Sequence, residues 1–313
     1  MSSARPVHFG YNPPTSDRRL TAEPFRPETF AEDVDRAIGL ALDGGFDSVW
    51  VSDHLMSADR YRLEAWTLLS WIASRHPGIT VGTSVLVDAF RPAPLLAKMV
   101  ASLAALTGCH MIVGYGAGWD EPEFRAFGYP FGAARERLDR MDESLEVLRL
   151  MWEGGSVEHT GPALRLEGAV VEPAPPARPL LMVGGESRHS IEIAVRRADW
   201  WNIVHVPDDL ARRAAQVDEA CARAGRDPAS LRRSVYLPVF LAGTVEAARR
   251  AAGPRLDTPP RPFAGTAEGL VDHLAGLVEL GFDAFQLVFA DFPATTDIES
   301  FLERTLPSFR TAA

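Results

Sequence analysis

Short runs rich in Val, Ile and aromatic residues alternate along the chain with longer runs whose apolar residues recur at helical spacing. The clearest unit is Gly44 to His54. Gly44 and Gly45 stop a helical pattern, and Phe46, Val49, Trp50 and Val51 make a strand suited to burial on both faces. Asp53 and His54 then follow at its carboxyl end. Before it, Val7 to Tyr11 reads as a first strand, followed by a polar, Pro-rich loop through Pro27. Pro27-Glu28-Thr29 opens a helix with Phe30, Val34, Ile38 and Leu42 on one stripe. After it, Trp66, Leu69 and Ile72 mark a helix stopped by Pro77-Gly78, Ile79 to Val87 is the third strand, and Pro92 to Leu106 is helical. His110 to Tyr115 is the fourth strand. It leads through Gly116-Ala117-Gly118-Trp119 into a long helix striped by Leu138, Met141, Leu145, Leu148 and Trp152.

A Gly/Pro-rich excursion between Gly154 and Pro179 reads as a small hairpin. The remaining strands are Leu180 to Val183, Trp200 to Val204, Arg233 to Leu241 and Ala284 to Phe289. The helices between and after them are Ser187 to Ala198, Pro207 to Ala224, Thr244 to Ala252, Thr266 to Leu280 and Ile298 to Phe309. Gly253 to Gly265 is a Pro-rich loop, expected to be mobile and to order over a bound cofactor. Eight β/α units without a shift in composition predict one (β/α)8 TIM barrel with insertions, spanning 1–313. The rival, a doubly wound sheet, lacks its G-x-G-x-x-G after the first strand; Gly114, Gly116 and Gly118 merely alternate.

Composition narrows the partners. A net charge of −10 gives no electrostatic footprint for nucleic acid. No apolar run is long enough for a bilayer, and no apolar signal region or tract after Arg18-Arg19 marks export. Two cysteines, Cys109 and Cys221, offer neither a disulfide framework nor metal-ligand spacing, so the expected home is a reducing cytoplasm and no metal is expected.

The chemistry gathers at strand ends: Asp53-His54, Thr83-Ser84-Val85, Gly116 to Trp119, and Gly184-Gly185-Glu186-Ser187. Small residues there let backbone approach a flat ligand, which Trp119 would wall. Gly184-Gly185 ahead of a helix would offer backbone N–H groups to a phosphate. The bland alternatives are routine turns, with Asp53 a cap and His54 a loop histidine. Arg188 in the first turn of that helix opposes the macrodipole, which fits either an anion beside it or a solvated side chain. Arg135, Arg137 and Arg140, interleaved with Glu136, Asp139 and Asp142, read as a salt-bridged outer face, and Lys98, the only lysine, reads as a structural partner.

The chain resembles the bacterial luciferase-like family of flavin- and deazaflavin-dependent oxidoreductases. The resemblance rests on Gly-Phe-Asp-Ser-Val-Trp-Val-Ser-Asp-His-Leu (45–55), Gly-Thr-Ser-Val-Leu-Val (82–87) and Leu-Leu-Ala-Lys (95–98). It continues through Gly-Ala-Gly-Trp with Glu123-Phe124, Arg137-Leu-Asp, Val-Gly-Gly (183–185) and Ala198-Asp-Trp-Trp-Asn. It implies a (β/α)8 barrel, coenzyme F420 or alternatively FMN, and Asp53 and His54 beside the redox ring. His54 would move the proton, with Asp53 orienting it or binding the ring edge. A non-prolyl cis peptide at Ser84-Val85 would back the ring. Gly116, Ala117, Gly118, Trp119, Gly184, Gly185, Glu186, Ser187 and Arg188 would hold the ring, ribityl chain and phosphate; the substrate pocket is expected to include Tyr11, Asn12 and Trp201.

Two departures from the family pattern are Gly108-Cys109-His110, where Gly-Gly-Arg is usual, and Asp199-Trp200-Trp201-Asn202, where Asp-Gly-Trp-Asn is usual. The expected function is hydride transfer between F420 and a small organic substrate. The first alternative is an FMN-dependent monooxygenase served by a separate flavin or F420 reductase, and the second a barrel that binds flavin without turnover. A homodimer is expected, as in relatives.

Overall fold

The structure, a computed structural model, describes residues 5–14, 26–56 and 62–310; most of the loop expected between Tyr11 and Pro27, with the pair Arg18-Arg19, lies outside the described residues. In chain order the first elements are β1 (His8–Tyr11), α1 (Pro27–Asp43), β2 (Ser48–Val51), α2 (Ala65–Arg75), β3 (Thr80–Thr83) and β4 (Leu86–Val87). Next come α3 (Ala93–Thr107), β5 (His110–Gly116), α4 (Glu121–Ala126), α5 (Ala134–Glu153), β6 (Val157–Thr160) and β7 (Arg165–Ala169). β8 (Leu180–Gly184), α6 (Arg188–Arg197), β9 (Trp200–Val204), α7 (Pro207–Ala224) and β10 (Arg232–Leu241) follow. The chain finishes with α8 (Val245–Ala252), β11 (Phe263–Gly265), α9 (Ala267–Glu279), β12 (Ala284–Phe289) and α10 (Thr296–Arg304).

Hydrogen bonding runs β11–β10–β12–β1–β2–β3–β5–β8–β9, and β9 also pairs with β10. The eight barrel strands therefore form a closed parallel barrel with helices between them, as the alternating pattern predicts. β4 adds to β5, β11 adds to β10, and β6 and β7 form a separate antiparallel hairpin, where the Gly/Pro-rich excursion was expected.

The chain divides into two compact units, 1–50 with 202–219 and 232–313, and 51–201 with 220–231. In the first, Phe9 on β1 centres an aromatic cluster, with ring centroids 5.8 Å from Phe285, 5.3 Å from Phe301 and 5.5 Å from Phe309. Edge-to-face and offset pairs of this kind add to the burial of their large apolar areas. In the second, Phe124 packs 5.1 Å from Phe90 and 5.0 Å from Phe131, in an apolar cluster that includes Val87. This second cluster anchors the loops at the carboxyl ends of β4 and β5.

Several expectations need correction. The third strand is two strands, interrupted at Ser84-Val85, whose peptide bond is cis as the family resemblance implies. The stretch 253–265 is not a bare loop: a 3-10 turn at Gly253–Asp257 leads to β11, which pairs in parallel with Val239, Phe240 and Leu241 of β10. The last helix breaks at Thr305 and resumes as a 3-10 turn, Leu306–Phe309. A helix that the apolar pattern did not announce, α4, follows β5. Among the described residues no helix is long and apolar enough to cross a membrane, and Cys109 and Cys221 are both buried.

Candidate active site

The site lies within the second unit. Asp53, two residues beyond β2, is buried, and Oδ2 accepts from Val87 N at 3.0 Å and from Arg91 Nη1 at 2.8 Å. Arg91 Nη2 lies 3.3 Å from Oδ1, so the guanidinium spans both carboxylate oxygens. Arg91 also pairs with Glu64, whose carboxylate caps α2 by accepting from Trp66 N at 2.9 Å and Thr67 N at 2.7 Å. Burial alone would lower the Arg91 guanidinium, but Asp53 and Glu64 outweigh it and hold it above its ordinary value. Asp53 thus fastens the ends of β2 and β4 to the entry of α3.

His54 has a different partner. Its Nδ1 lies 3.2 Å from Glu123 Oε2, while Glu123 Oε1 accepts from Leu55 N at 2.5 Å and Met56 N at 3.0 Å. Glu123 sits in the first turn of α4 and is only 1 % exposed. Burial pushes its carboxyl up, yet the bonds from His54, Met56 and Leu55 prevail and leave it below its usual value. Trp119 meets the His54 ring edge to face, with centroids 5.9 Å apart, and is 73 % exposed, so its indole is open to a ligand. Asp120 Oδ1 accepts from Glu123 N at 3.4 Å. His54, Asp120 and Glu123 place ligand-type atoms within 4.8 Å of one another; Glu123 Oε1 already holds the Leu55 and Met56 N–H groups and Oε2 faces His54 Nδ1, so these side chains are engaged with one another at the start of the helix.

Val85 marks a second part of the site. A Cβ on Gly116 would lie 2.7 Å from Val85 Cγ2, and one on Gly184 would lie 2.9 Å from Val85 Cγ1, so the valine fills the space that both glycines leave at the ends of β5 and β8. Ser84 N donates to Val51 O at 2.8 Å, which ties this bend to β2. Gly118 takes a positive φ of 76°, and its carbonyl accepts from Arg137 Nη2 at 3.3 Å. The Arg137 guanidinium lies over Phe131, 3.9 Å from the ring centroid.

Gly185 has φ 139°, a conformation that favours glycine, and its carbonyl accepts from Trp201 Nε1 at 2.8 Å. Ser187 caps α6, its Oγ accepting from Ser190 N at 3.1 Å.

Asp53, His54, Ser84, Val85, the 116–119 turn and the 184–187 turn share the second unit, whereas Tyr11 and Asn12 belong to the first, buried at the end of β1. Trp201 is fully buried and supports Gly185, which is a bracing position rather than an open pocket wall. Arg188, 78 % exposed, pairs with Glu192 at 2.9 Å along α6. The supposed outer face of α5 is also only partly so. Arg135 pairs with Asp139, but Arg140 Nε reaches buried Asp88 at 2.5 Å, which also accepts from Tyr115 Oη at 3.0 Å. Lys98 donates to the Glu172 carbonyl, the structural role expected of it.

Glu123, Arg91, Glu64 and Asp88 were not anticipated as site residues. For Glu123 a signal existed: Asp120-Glu121-Pro122-Glu123 has an N-cap, a proline in the first turn and an acid three residues after the cap.

A sequence profile of the luciferase-like monooxygenases matches residues 13–297. The chain belongs to this family. It is 30% identical over 216 residues to the F420-dependent hydroxymycolic acid dehydrogenase of Mycobacterium tuberculosis, covering 68% of this chain and 59% of that protein. It is 28% identical over 179 residues to an FMNH(2)-dependent dimethylsulfone monooxygenase of Pseudomonas fluorescens, covering 57% of this chain and 48% of that one. The matches thus span about half to three-fifths of these relatives. An F420-dependent secondary alcohol dehydrogenase solved with an F420-acetone adduct shares the fold, with TM-score 0.83 at 19% identity over 98% of this chain and 100% of that one. The family barrel and the strand-end placement of Asp53 and His54 therefore agree with the pattern read from the chain.

Proposed function

We propose that the protein is an oxidoreductase that transfers a hydride between coenzyme F420 and a small organic substrate. The observation that carries the reading is His54, held beyond the end of β2 against Glu123, together with Val85, whose methyl groups fill the space left by Gly116 and Gly184 at the ends of β5 and β8. These residues fit a planar cofactor: side chains are absent from both flanking strand ends, and the turn at Gly185 precedes the capped start of α6. When bound, a deazaflavin supplies a two-electron hydride donor or acceptor. Val85 and the glycines would support the ring, and the 184–187 turn would receive the phosphate. His54 takes or returns the proton that accompanies the hydride. Asp53 holds the frame on which His54 stands, through Arg91 and Val87 N–H.

An FMN-dependent monooxygenase with a separate reductase is the second reading, favoured by the dimethylsulfone monooxygenase among the relatives. A homodimer in the cytoplasm completes the proposal. Titration with F420 and with FMN, followed by absorbance and fluorescence, decides between the two. Tight F420 binding with hydride transfer to or from an alcohol or carbonyl supports the first. FMN binding without F420 binding would replace it with the second.

A further inference from the structure

Glu123 does two things at once. Its Oε1 collects the N–H groups of Leu55 and Met56, and its Oε2 faces His54 Nδ1 at 3.2 Å. The carboxylate is ionised and has no proton to give, so the hydrogen of that contact belongs to the imidazole. A neutral imidazole carries one N–H, which is then committed to Nδ1, and its lone pair falls on Nε2.

We infer that Glu123 is a positioning residue that fixes His54 in its Nδ1–H tautomer, making Nε2 the atom that accepts and returns the substrate proton. The inference rests on His54 handling that proton. In the direction of substrate oxidation, the substrate O–H bond breaks, its proton forms the Nε2–H bond, and the hydride leaves the neighbouring carbon for the deazaflavin. Reduction reverses each step.

The two backbone donors make the inference sharp. In Glu123→Gln the carboxamide oxygen stays with the N–H groups of Leu55 and Met56, because the NH2 group cannot accept from them. That NH2 then faces His54 Nδ1, which must become an acceptor, and the ring proton moves to Nε2. The base is thereby blocked without removal of any side chain from the site. Glu123→Asp tests reach instead, since its shorter side chain cannot serve Leu55 N, Met56 N and His54 together.

The test is long-range 1H–15N correlation spectroscopy on protein carrying 15N-histidine, without cofactor, with His54 assigned by the signal missing in His54→Asn. Nδ1–H is expected in the wild type and Nε2–H in Glu123→Gln. Single-turnover hydride transfer in F420-loaded Glu123→Gln should fall about 10²–10⁴-fold, with F420 affinity unchanged. An Nε2–H tautomer in the wild type, read without any variant, overturns the inference. So does a retained Nδ1–H tautomer in Glu123→Gln. A wild-type single-turnover rate in His54→Asn instead overturns the proton role of His54 itself, so the two failures are told apart.

Discussion

Replacing Arg91 with Met keeps most of the apolar stem and removes the cation that spans both oxygens of Asp53. Asp53 is 3 % exposed, so water cannot take over, and among the described residues the Val87 N–H is the donor that remains bonded to it. Removing one partner of a buried ion pair costs about 3–5 kcal/mol, because the other is left as an uncompensated charge. Glu64 adds little to this sum, since its carboxylate is 38 % exposed and keeps its bonds to Trp66 N and Thr67 N. At about 2–3 °C per kcal/mol for a large domain, the melting temperature should fall by roughly 6–15 °C. Asp53→Asn in the same chain removes the orphaned charge. The double variant should therefore recover stability, giving a coupling on the order of 2–3 kcal/mol. Differential scanning calorimetry and urea unfolding of the wild type, both single variants and the double variant provide the cycle. An Arg91→Met cost below about 1 kcal/mol, or simple additivity, refutes the view that this pair holds β2, β4 and α3 together.

Gly185→Val places a branched side chain where φ is 139° and Ser190 Oγ would lie 2.9 Å from the new Cβ, so cofactor affinity measured by fluorescence titration should drop at least tenfold. Asp297 is pushed up to about 7 by burial and by Asp291, so the fold retains a proton that the unfolded chain loses near pH 4. Its contribution to stability therefore falls as pH rises from about 4 to about 7, and Asp297→Asn should be more stable relative to wild type at pH 8 than at pH 5 in paired urea titrations. His205 shows the opposite sign. Burial, opposed by its bond to the Arg261 carbonyl and aided by His273, lowers it to about 4, so stability is lost as pH falls from about 6.5 to about 4. Hydrogen-exchange protection factors over 261–265 should decline through that window in the wild type and not in His205→Gln, which keeps a donor for the Arg261 carbonyl.

How much of this was legible depends on the range of the interaction. β9, α7 and β12 begin and end where the periodicity puts them, because burial of a stripe or a face is written in local spacing. The break at Ser84 lies inside one strand-like run, and spacing alone does not show that the run is divided there. α4 was missed because six residues are too few to establish a helical period, although its capping residues were in plain view. The partners of the site were the least legible part. Asp53 meets Arg91 across 38 residues and His54 meets Glu123 across 69, separations set by the path of the barrel and not by any pattern of charge along the chain. The run Arg135–Arg140 misled for the same reason, since regular alternation of sign hid the turn of Arg140 toward Asp88.

Val85 has two methyl groups, and each occupies the place of a missing side chain, one beside Gly184 and the other beside Gly116. The three positions therefore mutate as a set. A methyl added at 184 or 116 first collides with the valine, whereas Val85→Ala first opens room for either addition. The order of substitutions, rather than their identity alone, governs which variants pass through a folded intermediate. A selection experiment that starts from this chain should reach alanine at 116 or 184 chiefly by way of a smaller residue at 85.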